Sequence, residues 1–144
     1  MEAKAFIVNE CKFEQMDEKK QINHSTPLET ITLPTLPYVN DIYAVLELTN
    51  LEKNQDIALF LTISDRNNKI IAFTDENNTI AIGEQMKTFC KIQVVHSIKG
   101  THQLTLYCNG EPLHIHEYDI ICEDTALMYC DETELADLRA KIEI

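Results

Sequence analysis

The stretch THQLTLYCNGEPL, residues 101–113, carries the strongest local structural signal in the chain. From residue 104 to 108 every second residue is apolar, which is typical of a β-strand with one buried face. Asn109–Gly110 follows, and Asn-Gly is favoured in a type I′ turn because both central positions need a positive φ. The stretch therefore predicts a β-hairpin whose second strand begins at Pro112 or Leu113.

The same two-residue period recurs along much of the chain, notably over residues 42–49, 57–64 and 88–98. Polar, turn-forming residues separate these runs at intervals of about 8–12 residues, the spacing expected of a sandwich or barrel. Pro34 and Pro37 exclude a regular central strand and indicate an edge strand or a crossover. These patterns predict an all-β antiparallel sandwich or barrel.

The C-terminal segment departs from the β pattern. Asp131 and Glu134 have the spacing of a capping box, and three apolar residues then share one helical face: Leu135, Leu138 and Ile142. We expect one domain over residues 1–144, with the sandwich at about 5–122 and a short helix at 131–142 that seals one end of it.

The composition is acidic, with 24 Asp and Glu against 12 Lys and Arg and a net charge of −12. A nucleic-acid binder needs a basic track to displace counterions, so we expect neither nucleic acid nor an anionic membrane surface as a partner. An acidic inhibitor or nucleic-acid mimic stays open as an alternative. The N-terminus has no signal-peptide pattern and no apolar run is long enough to span a bilayer, so we expect a cytoplasmic location.

The five Cys residues contain no Cys-x-x-Cys pair, and we expect reduced thiols that serve as small apolar side chains. The alternation predicts that Cys90 and Cys108 point inward from neighbouring strands. No signature of a nucleophilic Cys or Ser accompanies them, although five His residues leave a Cys-dependent enzyme open as an alternative.

The pattern Asp-x-Asn-Asn occurs twice in DRNNKIIAFTDENNTIAI, residues 65–82. Calcium needs about six to eight oxygen ligands, and each copy offers only one or two carboxylates. If residues 69–74 form a strand, the two copies lie at its opposite ends and cannot share an ion. We therefore interpret both copies as turns that end strands.

Four segments together resemble an uncharacterised bacterial family of small immunoglobulin-like β-sandwich proteins. They are AFIVNECKFEQMDEKKQINH at 5–24, LPTLPYVNDIYAVLELTN at 33–50, DIALFLTISDRNNKII at 56–71 and KGTHQLTLYCNGEPL at 99–113. The resemblance covers about residues 5–122. It implies an all-β, immunoglobulin-like antiparallel sandwich of about seven strands, and it implies no catalytic residue. The chain has no Trp and no Cys pair at inter-sheet spacing, so it departs from the immunoglobulin pattern proper.

His114 and His116 are the candidate metal ligands, since residues two apart in a strand project from the same face. The set would be completed by Glu117 or by a third histidine, His96 or His102. The simpler interpretation places the pair on a solvent-facing side, opposite Leu113 and Ile115, without a metal. His96 lies on an apolar face, and we expect it near a strand end with its ring nitrogens hydrogen-bonded.

Without a catalytic constellation, the sequence favours a non-enzymatic module that binds another protein, or itself as a homodimer, through a sheet face or edge. The candidate surface residues are aromatic residues at nominally wet positions: Phe60, Phe73, Tyr43 and Tyr107. The run IALFLTI around Phe60 is apolar on both faces, which indicates a covered face. The cover is either a partner or, in the simpler interpretation, the C-terminal helix or the proline-containing segment of the chain itself. We expect no cofactor, and a metal-dependent enzyme using His114 and His116 is the competing hypothesis.

Overall fold

The computed structural model of the chain describes residues 1–9, 11–16 and 19–123. Eleven strands occur among them: β1 (Glu2–Val8), β2 (Cys11–Met16), β3 (Lys19–His24), β4 (Thr30–Leu33), β5 (Tyr38–Thr49), β6 (Asp56–Ser64), β7 (Ile70–Phe73), β8 (Asn77–Ile80), β9 (Met86–His96), β10 (Gly100–Cys108) and β11 (Glu111–Cys122). The all-β prediction is confirmed. The predicted helix at 131–142 lies outside the described residues.

The strands form a sandwich of two main sheets. One sheet has three strands in the order β1-β5-β9, and the other has six, in the order β4-β11-β10-β6-β7 with β8 also on β6. Strands β2 and β3 pair as a separate hairpin. More strands occur than the seven or so predicted, among them the separate β2–β3 hairpin and the four-residue strand β8. Strand β7 confirms the strand predicted within residues 69–74.

The core lies between the facing sides of the two sheets. The predicted inward residues of β5 and β6 are buried, among them Leu46, Leu48, Leu61 and Ile63. Leu104 and Leu106 of β10 are fully buried as well. Full burial of such a side chain stabilises the fold by about 1.5–3 kcal/mol, so this alternation directly specifies which face of each strand turns inward.

The Asn109–Gly110 hairpin is confirmed. Both residues have positive φ, 51° and 84°, as a type I′ turn requires. Cys108 pairs with Glu111, so the second strand begins one residue before the earlier of the two predicted positions. Asn109 also caps the end of β6, since its side-chain Oδ1 accepts the N–H of Ala58 and its own N–H donates to the Ala58 carbonyl.

The proline-containing segment is both an edge and a crossover, as predicted. Strand β4 is the last strand of the six-stranded sheet and runs parallel to β11. The chain then passes Pro34 and Pro37, the second after a cis peptide bond, and enters β5 in the other sheet. Because neither proline sits inside a strand, no ladder hydrogen bond is lost.

Residues 65–82 form a loop followed by a bent edge strand. In the loop, Oδ1 of Asp65 accepts the N–H groups of Asn67 and Lys69 at 2.8 and 3.1 Å, and Asn68 has a φ of 61°. The prediction of a turn in the first Asp-x-Asn-Asn copy is confirmed. The Asp65 carboxylate orders its own loop, as Asp does in many turns.

The second copy is not a turn, and that prediction is wrong. Asn77 and Asn78 belong to β8, which pairs with β6 in the same direction as β7 does. Between β7 and β8, the N–H of Thr74 donates to the Leu61 carbonyl and its Oγ1 accepts the N–H of Leu61. The threonine side chain replaces a backbone carbonyl, so the chain bends at 74–76 and then continues along β6.

No helix in the described part of the chain is long and apolar enough to cross a bilayer.

Candidate interaction face

The outer side of the six-stranded sheet carries most of the aromatic residues predicted to form a binding surface. Cross-strand register puts Thr62 beside Phe73 on one side and Thr105 on the other, and Thr105 beside Ile115. Directly opposed residues of an antiparallel pair share a face. One row of side chains therefore crosses β7, β6, β10 and β11.

A second row lies next to it on β6 and β10. Phe60 is directly opposite Tyr107, and their rings stack with centroids 4.6 Å apart and planes inclined by 3°. Stacked aromatic pairs contribute about 0.5–1.5 kcal/mol beyond the area that they bury. Phe60 and Tyr107 are each half-buried, so the pair forms a fixed apolar platform at the centre of the face.

The ends of the first row are exposed. Phe73 is 71% exposed and Ile115 is 51% exposed, whereas Thr62 and Thr105 between them are only 8% exposed. We call the six residues of the two rows the aromatic face: Phe60, Thr62, Phe73, Thr105, Tyr107 and Ile115. Large apolar side chains grouped on an open sheet are typical of a protein-binding surface.

Carboxylates continue the outer side of β11 beyond the aromatic face. Glu117 accepts a hydrogen bond from the Gln103 side chain at 3.4 Å, and Asp119 accepts one from Thr101 Oγ1 at 2.8 Å. Both acids are exposed. The aromatic face therefore has an apolar centre with negative charge at one end.

Tyr43, the fourth predicted surface residue, lies on the other sheet. It belongs to β5, where it pairs with Val8 on one side and Lys91 on the other, and it is half-buried. The structure thus brings Phe60, Phe73 and Tyr107 together and separates Tyr43 from them. Ile115 and the two threonines were missed, because only strand register shows that they join the aromatic residues.

His114 and His116 share a face of β11, and that face points inward. Tyr118, two residues further on, is buried, while Ile115 is exposed on the opposite side. The solvent-facing interpretation of the His pair is therefore wrong. Extending the alternation backwards from the apolar residues Ile120 and Cys122 would have placed both histidines on the inner side.

Both imidazoles bind backbone at the seam between the sheets. Nδ1 of His114 accepts the N–H of Ala5 in β1 at 3.0 Å, which places the ring proton on Nε2. Nε2 of His116 donates to the Leu28 carbonyl at 2.8 Å, and the Leu28 N–H donates to Ile7 of β1. The pair ties β11 of one sheet to β1 of the other.

The groove beside this pair has a volume of about 460 Å³ and is also lined by Glu29, Glu117 and Asp119. Within the part of the chain that the structure describes, no three His, Cys, Asp or Glu side chains converge closely enough to hold a metal ion.

A buried polar cluster connects the sheets elsewhere. It comprises His96 at the end of β9, Tyr118 of β11, Asn40 of β5 and His102 of β10. His96 Nδ1 lies 2.8 Å from Asn40 Oδ1, and its Nε2 lies 3.0 Å from the Tyr118 hydroxyl. The prediction that His96 is a hydrogen-bonded histidine at a strand end is confirmed. Since Oδ1 is an acceptor, the ring carries its proton on Nδ1 and accepts the tyrosine hydroxyl at Nε2.

His102 packs against the hydrogen-bonded rings of His96 and Tyr118. Its ring centroid lies 5.2 Å from that of His96 and 5.4 Å from that of Tyr118. Its Nδ1 donates to the Gly100 carbonyl at 2.9 Å. Its Nε2 is buried without a hydrogen-bond partner among the described residues. Burial and, to a smaller extent, the nearby His102 together lower the pKa of His96 to about 4. Burial also lowers the pKa of His102.

Three cysteines are free thiols: Cys90 is half-buried, and Cys108 and Cys122 are buried. Cys90 belongs to β9 of the three-stranded sheet and Cys108 to β10 of the six-stranded sheet, so the prediction of neighbouring strands is wrong. Burial raises the pKa of the Cys90 thiol to about 11, and it also raises the pKa of Cys108. A nucleophilic cysteine needs a lowered pKa, because the thiolate is the reactive form.

No protein-family model and no curated protein sequence matches the chain. Solved structures with similar arrangements include a glycosyl hydrolase family 2 member from Bacteroides cellulosilyticus, with 16% identity and a TM-score of 0.47 over 59% of this chain and 12% of that one. A β-glucuronidase from glycoside hydrolase family 2 has 12% identity and a TM-score of 0.49 over 82% of this chain and 11% of that one.

The Pseudomonas fluorescens alkylpurine DNA glycosylase AlkC, bound to DNA containing an abasic site analog, has 14% identity and a TM-score of 0.44. The match covers 83% of this chain and 30% of the glycosylase. The chain therefore spans about a tenth of the hydrolases and under a third of the glycosylase. Identities and TM-scores at this level transfer no activity, substrate or partner to this chain.

Proposed function

We propose that the chain is a non-enzymatic protein-interaction module and that the aromatic face is its binding surface. The observation that carries this proposal is the row in which Phe73, 71% exposed, and Ile115, 51% exposed, flank two buried threonines beside the stacked Phe60–Tyr107 pair. Aromatic residues held rigidly on strands present a large contact area at low cost in side-chain entropy.

The chemistry elsewhere in the described residues favours binding over catalysis. The Cys90 thiol has its pKa raised, and His114 and His116 each use a ring nitrogen to bind backbone. A flat face with a fixed aromatic centre has the shape of a protein contact rather than of a small-molecule cleft.

Charge indicates the kind of partner surface. The chain carries a net charge of −12, and exposed Glu117 and Asp119 lie beside the aromatic face. A partner with an apolar centre and Lys or Arg at its rim fits this arrangement, since complementary rim charges accelerate association and exclude wrong partners.

The test is capture of a partner from lysate of the native host by the purified chain, with identification by mass spectrometry and measurement of affinity. Phe73→Asp and Ile115→Asp each place a charge in the aromatic face and should weaken binding at least ten-fold, as expected when an interface residue that contributes strongly to affinity is lost. Val39→Asp is the matched control, since Val39 is 54% exposed but lies on β5 of the other sheet.

Each variant must keep the wild-type melting temperature for its binding result to count. Equal loss of binding in the Val39 control would place the contact elsewhere. Full binding by both Phe73→Asp and Ile115→Asp would refute the proposal.

A further inference from the structure

Among the residues that the structure describes, strand β8 has a neighbouring strand on one edge only. It pairs with β6 along one side, with Ile57 opposite Thr79, Ala58 opposite Asn78 and Leu59 opposite Asn77. Ala58 directs both of its backbone groups away from β8, because its N–H donates to Asn109 Oδ1 and its carbonyl accepts the Asn109 N–H. Antiparallel ladders alternate, so Ile57 and Leu59 are the residues that bond to β8.

The alternation decides which groups of β8 point outward. Thr79 and Asn77 bond to β6, and Ala81 continues the pattern by donating its N–H to the Gln55 carbonyl. The N–H and C=O groups of Asn78 and Ile80 therefore point away from the sheet, and β8 has no second neighbouring strand among the described residues. Two donors and two acceptors are available along this edge.

The side chains of this edge do not prevent pairing. Natural edge strands are usually protected by charge, proline or a bulge, yet residues 77–82 (NNTIAI) contain neither a charge nor a proline. Ile80 is 55% exposed and Ile82 is 94% exposed. Ile80 lies on the same side of the sheet as Ala58 and Phe60, and with Ile57 it lines a groove of about 480 Å³.

Negative charge flanks the edge at both ends. Asp75 and Glu76 precede β8, Glu84 follows it, and Asp56 is directly opposite Ile80. Two copies of this chain paired antiparallel along β8 would bring Asp75 and Glu76 of one copy towards Glu84 of the other. Like charges at both ends oppose a homodimer at this edge and favour a strand with basic ends.

We propose that the β8 edge accepts an extended segment of a partner protein as an added strand, with β-branched residues in its centre and Lys or Arg at both ends. The outward N–H and C=O groups of Asn78 and Ile80 supply the main-chain hydrogen bonds, and Ile80 supplies the apolar contact. The inference rests on the proposed function, because the added strand would extend the sheet that bears the aromatic face.

The probe is the synthetic peptide Lys-Lys-Thr-Val-Thr-Val-Thr-Lys-Lys, compared by titration calorimetry with a version that has Glu in place of Lys. We expect the basic peptide to bind at least ten-fold more tightly at low salt. Two further peptides carry N-methyl groups on either all Val amides or all Thr amides. One of them should lose binding and the other should keep it, since only alternate amides face β8. Absence of binding by the basic peptide, or equal effects of the two N-methyl sets, would overturn the inference.

Asn78→Pro is the variant that tests the edge. Proline removes only an N–H that points away from β6, so the melting temperature should stay near the wild-type value while peptide affinity falls at least ten-fold. Thr79→Pro is the matched control, because it removes a ladder N–H and should lower the melting temperature. Wild-type peptide affinity in folded Asn78→Pro would contradict the added strand.

Two further outcomes separate this inference from the proposed function. A host partner that is lost with Phe73→Asp, while the wild-type chain binds no peptide, would refute the added strand and leave the proposed function standing. Sedimentation showing a dimer that Asn78→Pro dissociates would assign the edge to a second copy and overturn the partner segment.

Discussion

Acid should destabilise this protein through the buried pair His96 and His102. Both side chains are 0% exposed, and His96 is held neutral between Asn40 and Tyr118. A proton added at Nε2 of His96 would replace the lone pair that accepts the tyrosine hydroxyl. Protonation therefore favours the unfolded chain, where the imidazole meets water.

The size of the effect follows from the pKa of His96, lowered from 6.5 to about 4 by burial and by His102. A folded-state pKa below the unfolded value means that the stabilisation is complete above about pH 6.5 and is lost as the pH falls towards 4. At 1.36 kcal/mol per pH unit, His96 alone accounts for about 3 kcal/mol over this range and about 2 kcal/mol by pH 5.

His102 acts in the same direction, because burial lowers its pKa. Of the charged groups that face it, Asp65 and Asp119 favour the protonated ring and Arg66 opposes it. The hydroxyl of Tyr118 stays neutral throughout, since burial raises its pKa. The His102 contribution therefore adds to that of His96 but is reduced by its hydrogen bond to the Gly100 carbonyl and by the two carboxylates.

Urea denaturation at several pH values between 7.5 and 4.5 measures the effect, with a His96→Gln, His102→Gln double variant for comparison. Glutamine keeps polar atoms in the cluster but does not titrate. The variant should be less stable at pH 7.5. It should lose less stability than the wild type between pH 7 and 5, because it lacks the two histidines and because carboxylates titrate mainly below that range. Parallel curves for the two proteins would refute the reasoning.

Three smaller perturbations test individual contacts by thermal denaturation. Thr74→Val removes the oxygen that accepts the Leu61 N–H and should lower the free energy of unfolding by about 1–3 kcal/mol. Thr74→Ser keeps the hydroxyl and should lower it less, and equal losses would contradict the role of the hydroxyl. Gly110→Ala should cost about 1 kcal/mol because of its positive φ, and an unchanged stability would contradict the type I′ turn. His114→Phe should lower the free energy of unfolding by about 1–3 kcal/mol, because it leaves the Ala5 N–H unpaired. His114→Asn should restore part of this loss, and full stability of the Phe variant would show that the bond contributes nothing.

Local signals explain which parts of the fold were predictable from the sequence. The Asn109–Gly110 turn depends on two residues and their allowed φ values, and the inward faces of β5 and β6 depend on burial along a single strand. The alternation also indicated β7, but the extension of this edge strand into β8 was not predictable in this way. Its continuation past residue 76 depends on the Thr74 hydroxyl meeting Leu61, a contact between segments that the chain order does not reveal.

The candidate site was predictable only in part for the same reason. Phe60, Phe73 and Tyr107 stand out as aromatic residues at wet positions, but Ile115 joins them only because β11 pairs with β10 in one particular register. Tyr43 has the same sequence signature and lies on the other sheet. The His114–His116 spacing predicts a shared face correctly, and their partners Ala5 and Leu28 are too distant in sequence to be inferred.

The hydrogen bond between His96 of β9 and Tyr118 of β11 joins the two sheets of the sandwich. In antibody domains a disulfide makes the corresponding connection between sheets, and a reductant can cut it. Here the connection consists of an imidazole and a phenol, so the oxidation state of the surroundings does not affect it. This connection between the two layers is therefore insensitive to reductants and is weakened by protons instead.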